Sequence, residues 1–216
     1  MEKTHAPRFR HDCVILAGGD YPTHSVPLEL LQQAPYLCCC DGAGLQHLQR
    51  GGRLPDAIVG DGDSLPDDFK ERYASILHIV REQTFNDLTK ATRFCVERGF
   101  HDIAYVGCQG KREDHALGNF SLMAYYLREF GISPVMYTDY GYFIPARGRR
   151  EFASFPRQQV SIFNLDCTTL ASEGLRWQAY PYRQLWQGTL NEAVGYRFTL
   201  LADQTYIVFQ TYEGKP

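Results

Sequence analysis

Apolar and polar positions follow two different rhythms along the chain, and the change falls near Pro145-Ala146-Arg147-Gly148. Up to about residue 140, short continuous apolar runs alternate with longer amphipathic stretches. The runs Cys13–Ala17, Tyr36–Cys40, Ala57–Gly60, Ile76–Val80, Ile103–Val106 and Pro134–Tyr137 read as buried strands. Between them the pattern predicts helices near 26–34, 43–50, 66–74, 87–98 and 116–130. In the last of these, Leu117, Phe120, Ala124 and Leu127 recur at the helical period and predict a buried stripe. Strands alternating with helices imply an α/β unit, a mainly parallel sheet with helices on both faces. Beyond Gly148 the segments shorten and become rich in β-branched and aromatic residues: Val160–Leu165, Leu175–Trp177, Tyr196–Leu201 and Thr205–Tyr212. Turn residues recur there every ten or so positions. That predicts a small antiparallel β domain, sandwich-like or barrel-like, with the division at 145/146.

Composition narrows the classes. The 216 residues suit one large or two small domains, and a formal charge of −3 offers no basic face for nucleic acid. No apolar run approaches the roughly 20 residues that span a bilayer. The stretch Met1–Asp12 is polar and lacks the apolar core of a signal peptide. Seven cysteines, three of them consecutive at Cys38-Cys39-Cys40, form no C-x-x-C pair. Their odd number and apolar surroundings argue for reduced core thiols in a cytoplasmic protein; a zinc site is the sharper alternative, and the spacings disfavour it.

The chemistry concentrates where strands end. Gly60-Asp61-Gly62-Asp63-Ser64 follows the strand Ala57–Gly60 and places two carboxylates at its carboxyl end, where open α/β sheets bind ligands. If that segment stays extended, Asp61 and Asp63 point to one side and can share a cation. Oxygen ligands of this kind suit magnesium held against phosphates. Asp41-Gly42-Ala43 stands at another strand end. It reads either as a turn that lets backbone amides approach a ligand or as a strand-to-helix turn capped by Asp41. Gly18-Gly19-Asp20 has the same two readings, phosphate cradle or simple turn. Asn86-Asp87-Leu88-Thr89-Lys90 opens a helix: Asn86 suits the cap, Asp87 complements the dipole, and Lys90 lies on nearly the same face as Asp87. In Gly110-Lys111-Arg112-Glu113-Asp114-His115, Arg112 can grip phosphate and Asp114 can act as base or ligand. The bland alternative is a solvated loop whose charges pair locally. Together these blocks lay out metal-assisted phosphoryl chemistry. Ser64 has no G-x-S-x-G setting, which argues against acyl transfer.

The ordered set resembles the thiamine pyrophosphokinase family. Its motifs stand here as Asp41-Gly42-Ala43, Pro55-Asp56, Gly60–Ser64, Asp87 with Lys90, Gly110–His115 and Asn119. Val160–Phe163, Gly174-Leu175-Arg176-Trp177 and Gly188-Thr189-Leu190-Asn191-Glu192 follow in the β domain. Four positions depart from the family pattern: Ala43 for a second glycine, Gly62 where Phe is common, Asn86 for Thr, and Leu190 for the Ser of a Ser-Asn pair.

The resemblance implies transfer of a diphosphoryl group from ATP to the hydroxyl of thiamine, with AMP leaving. It implies Mg2+ on Asp61, Asp63 and Asp87, and nucleotide contacts from Asp41, Asn86, Lys90, Arg112, His115 and Asn119. It further implies Asp114 orienting or deprotonating the hydroxyl, and Trp177, Thr189, Leu190 and Asn191 at the thiamine pocket. Residues 1–145 would bind ATP and metal; residues 146–216 would serve thiamine binding and the homodimer, in which Trp177 or Trp186 faces the partner's ligand. The readings that compete with it are a magnesium-dependent phosphohydrolase or nucleotidyltransferase, indifferent to truncation at residue 147, and a non-catalytic sensor.

Overall fold

The computed structural model describes residues 10–215, so Met1–Phe9, part of the stretch expected to lack a signal core, lie outside the described residues. The chain divides into a unit Arg10–Asp139 and a second unit over residues 140–215.

In the first unit six parallel strands run β1 (Cys13–Leu16), β2 (Leu37–Cys40), β3 (Ala57–Gly60), β4 (Leu77–Ile79), β5 (Asp102–Val106) and β6 (Ser133–Tyr137). They lie in the order β6-β5-β1-β2-β3-β4, with Ile15 opposite Cys38 and Tyr105, and Ile58 opposite Cys39 and Leu77. Every residue of β1, β2 and β3 is buried, as continuous apolar strands covered on both faces must be. Among the described residues edge strand β4 pairs with β3 alone, and it is half-exposed. The helices are α1 (Ser25–Gln33), α2 (Asp41–Gln49), α3 (Asp67–Arg72), α4 (Asp87–Val96) and α5 (Glu113–Glu129). Helix α4 packs on β1, β2 and β3, and α5 on β6. All seven cysteines are buried free thiols, and Cys13 and Cys95 approach to 3.6 Å between sulfurs.

One expected core position is solvent-facing. The stripe of α5 does bury Ala124, with Met123 and Tyr126 beside it, but Leu117 is 67% exposed. A 17-residue helix is about 25 Å long. The five-residue strand it covers spans only about 17 Å. The helix is thus longer than the strand, and its burial is confined to later turns, at Met123, Ala124 and Tyr126.

The second unit is antiparallel. Strands β7 (Gly141–Arg147), β9 (Gln158–Asn164), β11 (Asn191–Glu192) and β13 (Thr205–Gly214) pair in the order β11-β9-β13-β7, with Val208 opposite both Ile144 and Ile162. Strands β8 (Arg150–Ala153), β10 (Leu170–Glu173) and β12 (Arg197–Ala202) form a second sheet, β10-β12-β8. The expected strand Leu175–Trp177 is not one: Gly174 turns the chain at φ +81° and only a single bridge, Leu175 to Ala193, follows. A Cβ at Gly174 would lie 2.8 Å from the Arg197 carbonyl, so the turn requires glycine. Among the described residues no helix is long and apolar enough to cross a membrane.

Candidate active site

Parallel strands in register bring the residues that follow each of them to one edge. Asp41 begins α2 directly after β2, Asp61 follows β3, and the Gly18–Asp20 and Gly107–Gly110 loops follow β1 and β5. The cap of α2 is Cys40 without a side-chain bond, so Asp41 is not the cap. Its carboxylate instead accepts the Ser64 hydroxyl at 2.6 Å, while its buried Oδ1 has no hydrogen-bond partner among the described residues. Gly42 permits that approach, since a Cβ there would sit 2.9 Å from Ser64 Oγ.

The acidic loop is a turn and not an extended segment. Gly62 takes φ +78°, and the Asp63 amide donates to Asp61 Oδ1 at 3.1 Å. Asp63 projects into solvent from this turn, and Asp61 is half-buried. The Asp63 amide, aided by Lys90 and Gln83, holds the Asp61 carboxyl below its usual range against the opposing effect of burial.

Helix α4 supplies the partner. Asn86 caps it by accepting the Thr89 amide at 2.9 Å, which sets the first turn bearing Asp87 and Lys90. Deeper in the helix, Thr89 bonds the Tyr126 hydroxyl at 2.8 Å and Thr92 bonds the Tyr105 hydroxyl at 3.1 Å, so the helix is stitched to α5 and β5. Lys90 is 4% exposed, with its ammonium 3.3 Å from Asp87 and 3.7 Å from Asp61. Burial raises the Asp87 carboxyl above its ordinary value, Lys90 pulls it back, and Asp61 and Asp41 add to the rise. One buried cation thus gathers carboxylates from two separate segments.

The third block is close to its bland reading. Arg112 grips Asp114 through two bonds of 3.1 and 2.6 Å, both side chains exposed at the start of α5. That bond first, and the Arg112 charge with it, holds Asp114 low and Arg112 high. His115 is exposed beside them. Asn119 donates to the Cys108 carbonyl at 2.9 Å and so fixes the loop rather than facing outward. The Gly19 and Asp20 amides donate to the Gly107 and Gln109 carbonyls, so two of the three amides of Gly18-Gly19-Asp20 are engaged within the protein, as the turn reading expects.

Sequence reasoning missed Lys70, Arg81 and Gln83, which line a cleft with Asp61, Asp63 and Ile79. Arg81 and Gln83 follow β4 at its carboxyl end, the same signal that marked the acids.

Magnesium suits the oxygen donors at this edge. Among the described residues no three His, Cys, Asp or Glu side chains are grouped closely enough to hold a metal alone. Magnesium, however, commonly binds through one or two carboxylates, waters and substrate phosphates. The orphaned Asp41 Oδ1 and the Asp61–Asp87 pair fit such a site.

In the second unit Trp177, Tyr180, Tyr182, Thr189, Leu190 and Asn191 line one cleft. Trp177 is 52% exposed and Leu190, at φ +65°, is largely exposed. Thr189 turns its hydroxyl inward to the Trp186 carbonyl at 2.7 Å. Asn191 is buried and bonded to backbone.

Residues 28–133 match the family described as thiamin pyrophosphokinase, catalytic domain, and residues 141–209 match thiamin pyrophosphokinase, substrate-binding domain. No curated protein matches the chain. Among solved structures, thiamine pyrophosphokinase from Bacillus subtilis superposes with TM-score 0.74 at 18% identity, covering 93% of this chain and 99% of that one. Thiamin pyrophosphokinase from Candida albicans gives TM-score 0.73 at 17% identity, covering 94% and 90%. At such identities these likenesses show the fold.

Proposed function

The chain belongs to the thiamin pyrophosphokinase family and is an enzyme of ATP-dependent thiamine diphosphorylation; we propose that the edge organised by Lys90 is where its diphosphoryl group is transferred. The observation that carries this reading is the buried ammonium shared by Asp61 and Asp87. A cation held there by desolvated packing cannot swing away, so it offers fixed charge to a phosphate oxygen.

Asp61, Asp63 and Asp87 would hold Mg2+, which when bound neutralises triphosphate charge and helps AMP to leave. Lys90 would give its charge to a phosphate oxygen. Arg112 exchanges its grip on Asp114 for phosphate oxygens, and the freed Asp114 carboxylate then orients or deprotonates the thiamine hydroxyl. That exchange is inexpensive because both partners are exposed. Asp41, Asn86, His115 and Asn119 shape the nucleotide side, Asn86 and Asn119 by fixing the helix start and the loop. Residues 146–216 supply the thiamine cleft at Trp177, Thr189, Leu190 and Asn191. The exposed Trp177, Tyr180, Trp186 and Tyr196 support a homodimer, and the unpaired buried thiols support a cytoplasmic location.

The test is a product assay with ATP, magnesium and thiamine. Equal amounts of AMP and thiamine diphosphate, lost in Asp61→Asn, are expected. ADP with thiamine monophosphate would overturn attack at the β-phosphorus, and phosphate release independent of thiamine would indicate a hydrolase.

A further inference from the structure

We infer that Asn191 is a positioning residue that holds Trp177 by the backbone, so that the indole stands as a fixed wall of the thiamine cleft; this rests on the function proposed above. The segments 174–177 and 191–194 meet as a minimal antiparallel pair. The Arg176 amide donates to the Glu192 carbonyl at 2.8 Å, the Val194 amide to Gly174 at 3.0 Å, and Leu175 bridges Ala193. At Trp177 that pairing runs out, and a side chain takes over. Asn191 Oδ1 accepts the Trp177 amide at 3.2 Å and Asn191 Nδ2 donates to the Trp177 carbonyl at 2.7 Å. A carboxamide has the donor and acceptor of a peptide unit, so Asn191 completes the ladder that a neighbouring strand would have supplied. Its Oδ1 also accepts the Glu192 amide at 2.8 Å, which fixes the plane of the carboxamide itself.

The wall is defined on its other side too. Arg176 places its guanidinium 5.0 Å from the Trp177 ring centroid and bonds Glu192 at 3.4 Å. One indole face is therefore covered by a cation, and the remaining exposure belongs to the rest of the ring. The rim next to Asn191 is equally constrained. A Cβ at Gly188 would sit 1.9 Å from the Ile162 carbonyl, and Leu190 is kept in the left-handed region. Such a conformation persists in a bulky residue only where its surroundings over-determine it. Asn191 is 5% exposed and commits its carboxamide oxygen to the Trp177 and Glu192 amides and its nitrogen to the Trp177 carbonyl, so although it borders the cleft its effect on substrate passes through the indole.

The experiment uses the full chain carrying Asn191→Ala, and Asn191→Asp as a variant of equal size that keeps the acceptor atom but loses the donor to the Trp177 carbonyl. The expected kinetic result is a KM for thiamine raised about tenfold or more with kcat within about twofold. The chain has two tryptophans, so in a Trp186→Phe background emission reports Trp177 alone. Thiamine-induced quenching and the emission anisotropy of the free protein should both fall. An unchanged KM with unchanged anisotropy would overturn the inference. So would a fall in kcat that follows lost thermal stability with KM constant, because that is a folding effect. If the wild-type chain makes no thiamine diphosphate, the reaction assignment fails, and anisotropy still decides the clamp: no change on losing Asn191 sinks it.

Discussion

On the proposed reading Lys90 would serve two functions that oppose each other. Its ammonium lies within 4 Å of Asp61 and Asp87, the carboxylates proposed to hold magnesium. At an effective dielectric near 20, two charges 4 Å apart interact by about 4 kcal/mol, so this cation would weaken metal binding to the free protein while assisting a bound phosphate. Lys90→Met should consequently tighten magnesium in the absence of nucleotide and lower kcat/KM by about 100-fold or more. Calorimetry with magnesium chloride alone, then with ATP, separates the effects; weaker magnesium binding in the variant would rule the argument out. Lys90→Arg should fail to restore activity, since a planar fork does not fit a buried site shaped for a point charge. The neighbourhood of Asp87 and Lys90 was legible in the chain because three residues is one helical turn. The approach of Asp61 was not, since it depends on how α4 packs across β3. Nor were the bonds of Asn191 to Trp177, which are fixed only when two distant turns meet.

Elements were predicted wherever one hydrophobic period ran uninterrupted, and failed where a glycine or an edge intervened. The six parallel strands and five helices follow directly from apolar runs and amphipathic spacing. Leu175–Trp177 carries a strand-like composition, yet Gly174 breaks the pairing. The pattern does not predict β7, β8, β10 or β11; Gly, Pro and Arg interrupt the apolar run in the first two, and pairing with β13, β12 and β9 decides the outcome. The turn after β3 carries a prediction of its own. Gly62 stands where the family commonly has Phe, at φ +78°, and a Cβ there would meet Ile79 Cδ1 at 2.7 Å. Restoring the aromatic by Gly62→Phe should destabilise the protein by about 1–2 kcal/mol from the backbone alone. The Ile79 contact adds to that cost. Ile79→Ala in the same chain should recover the side-chain part and leave the backbone part. Urea midpoints of the single and double variants measure both; a neutral Gly62→Phe would show that the turn adapts freely.

For the molecule as a whole, the change of pattern was legible in the chain near residues 145–148, a few positions beyond the start of the second unit at residue 140, but how the first unit closes on itself was not. His11, just before β1, bonds the Tyr137 hydroxyl at the end of β6 at 2.7 Å, with the rings edge-to-face at 5.5 Å. These residues are 126 positions apart, and no periodicity announces the contact. Burial lowers the His11 pKa from 6.5 to about 4, while Asp102 and Asp12 pull it upward. The unfolded chain thus takes up a proton near pH 6.5, before the folded protein does. The stability His11 contributes by remaining neutral is complete above that pH and is lost as the pH falls toward 4. Complete loss amounts to up to about 3 kcal/mol. Carboxylates held low in the folded state, such as Asp139, also destabilise on acidification, so the wild-type curve alone does not isolate the histidine. The difference between wild type and His11→Gln does, because the carboxylates are common to both. Urea unfolding of the two chains at pH 7, 5.5 and 4 should give a gap that changes steadily in favour of the variant as pH falls. A gap independent of pH would mean that His11 protonates in the folded state as readily as in the unfolded one, and that its burial does not govern the acid sensitivity of this unit.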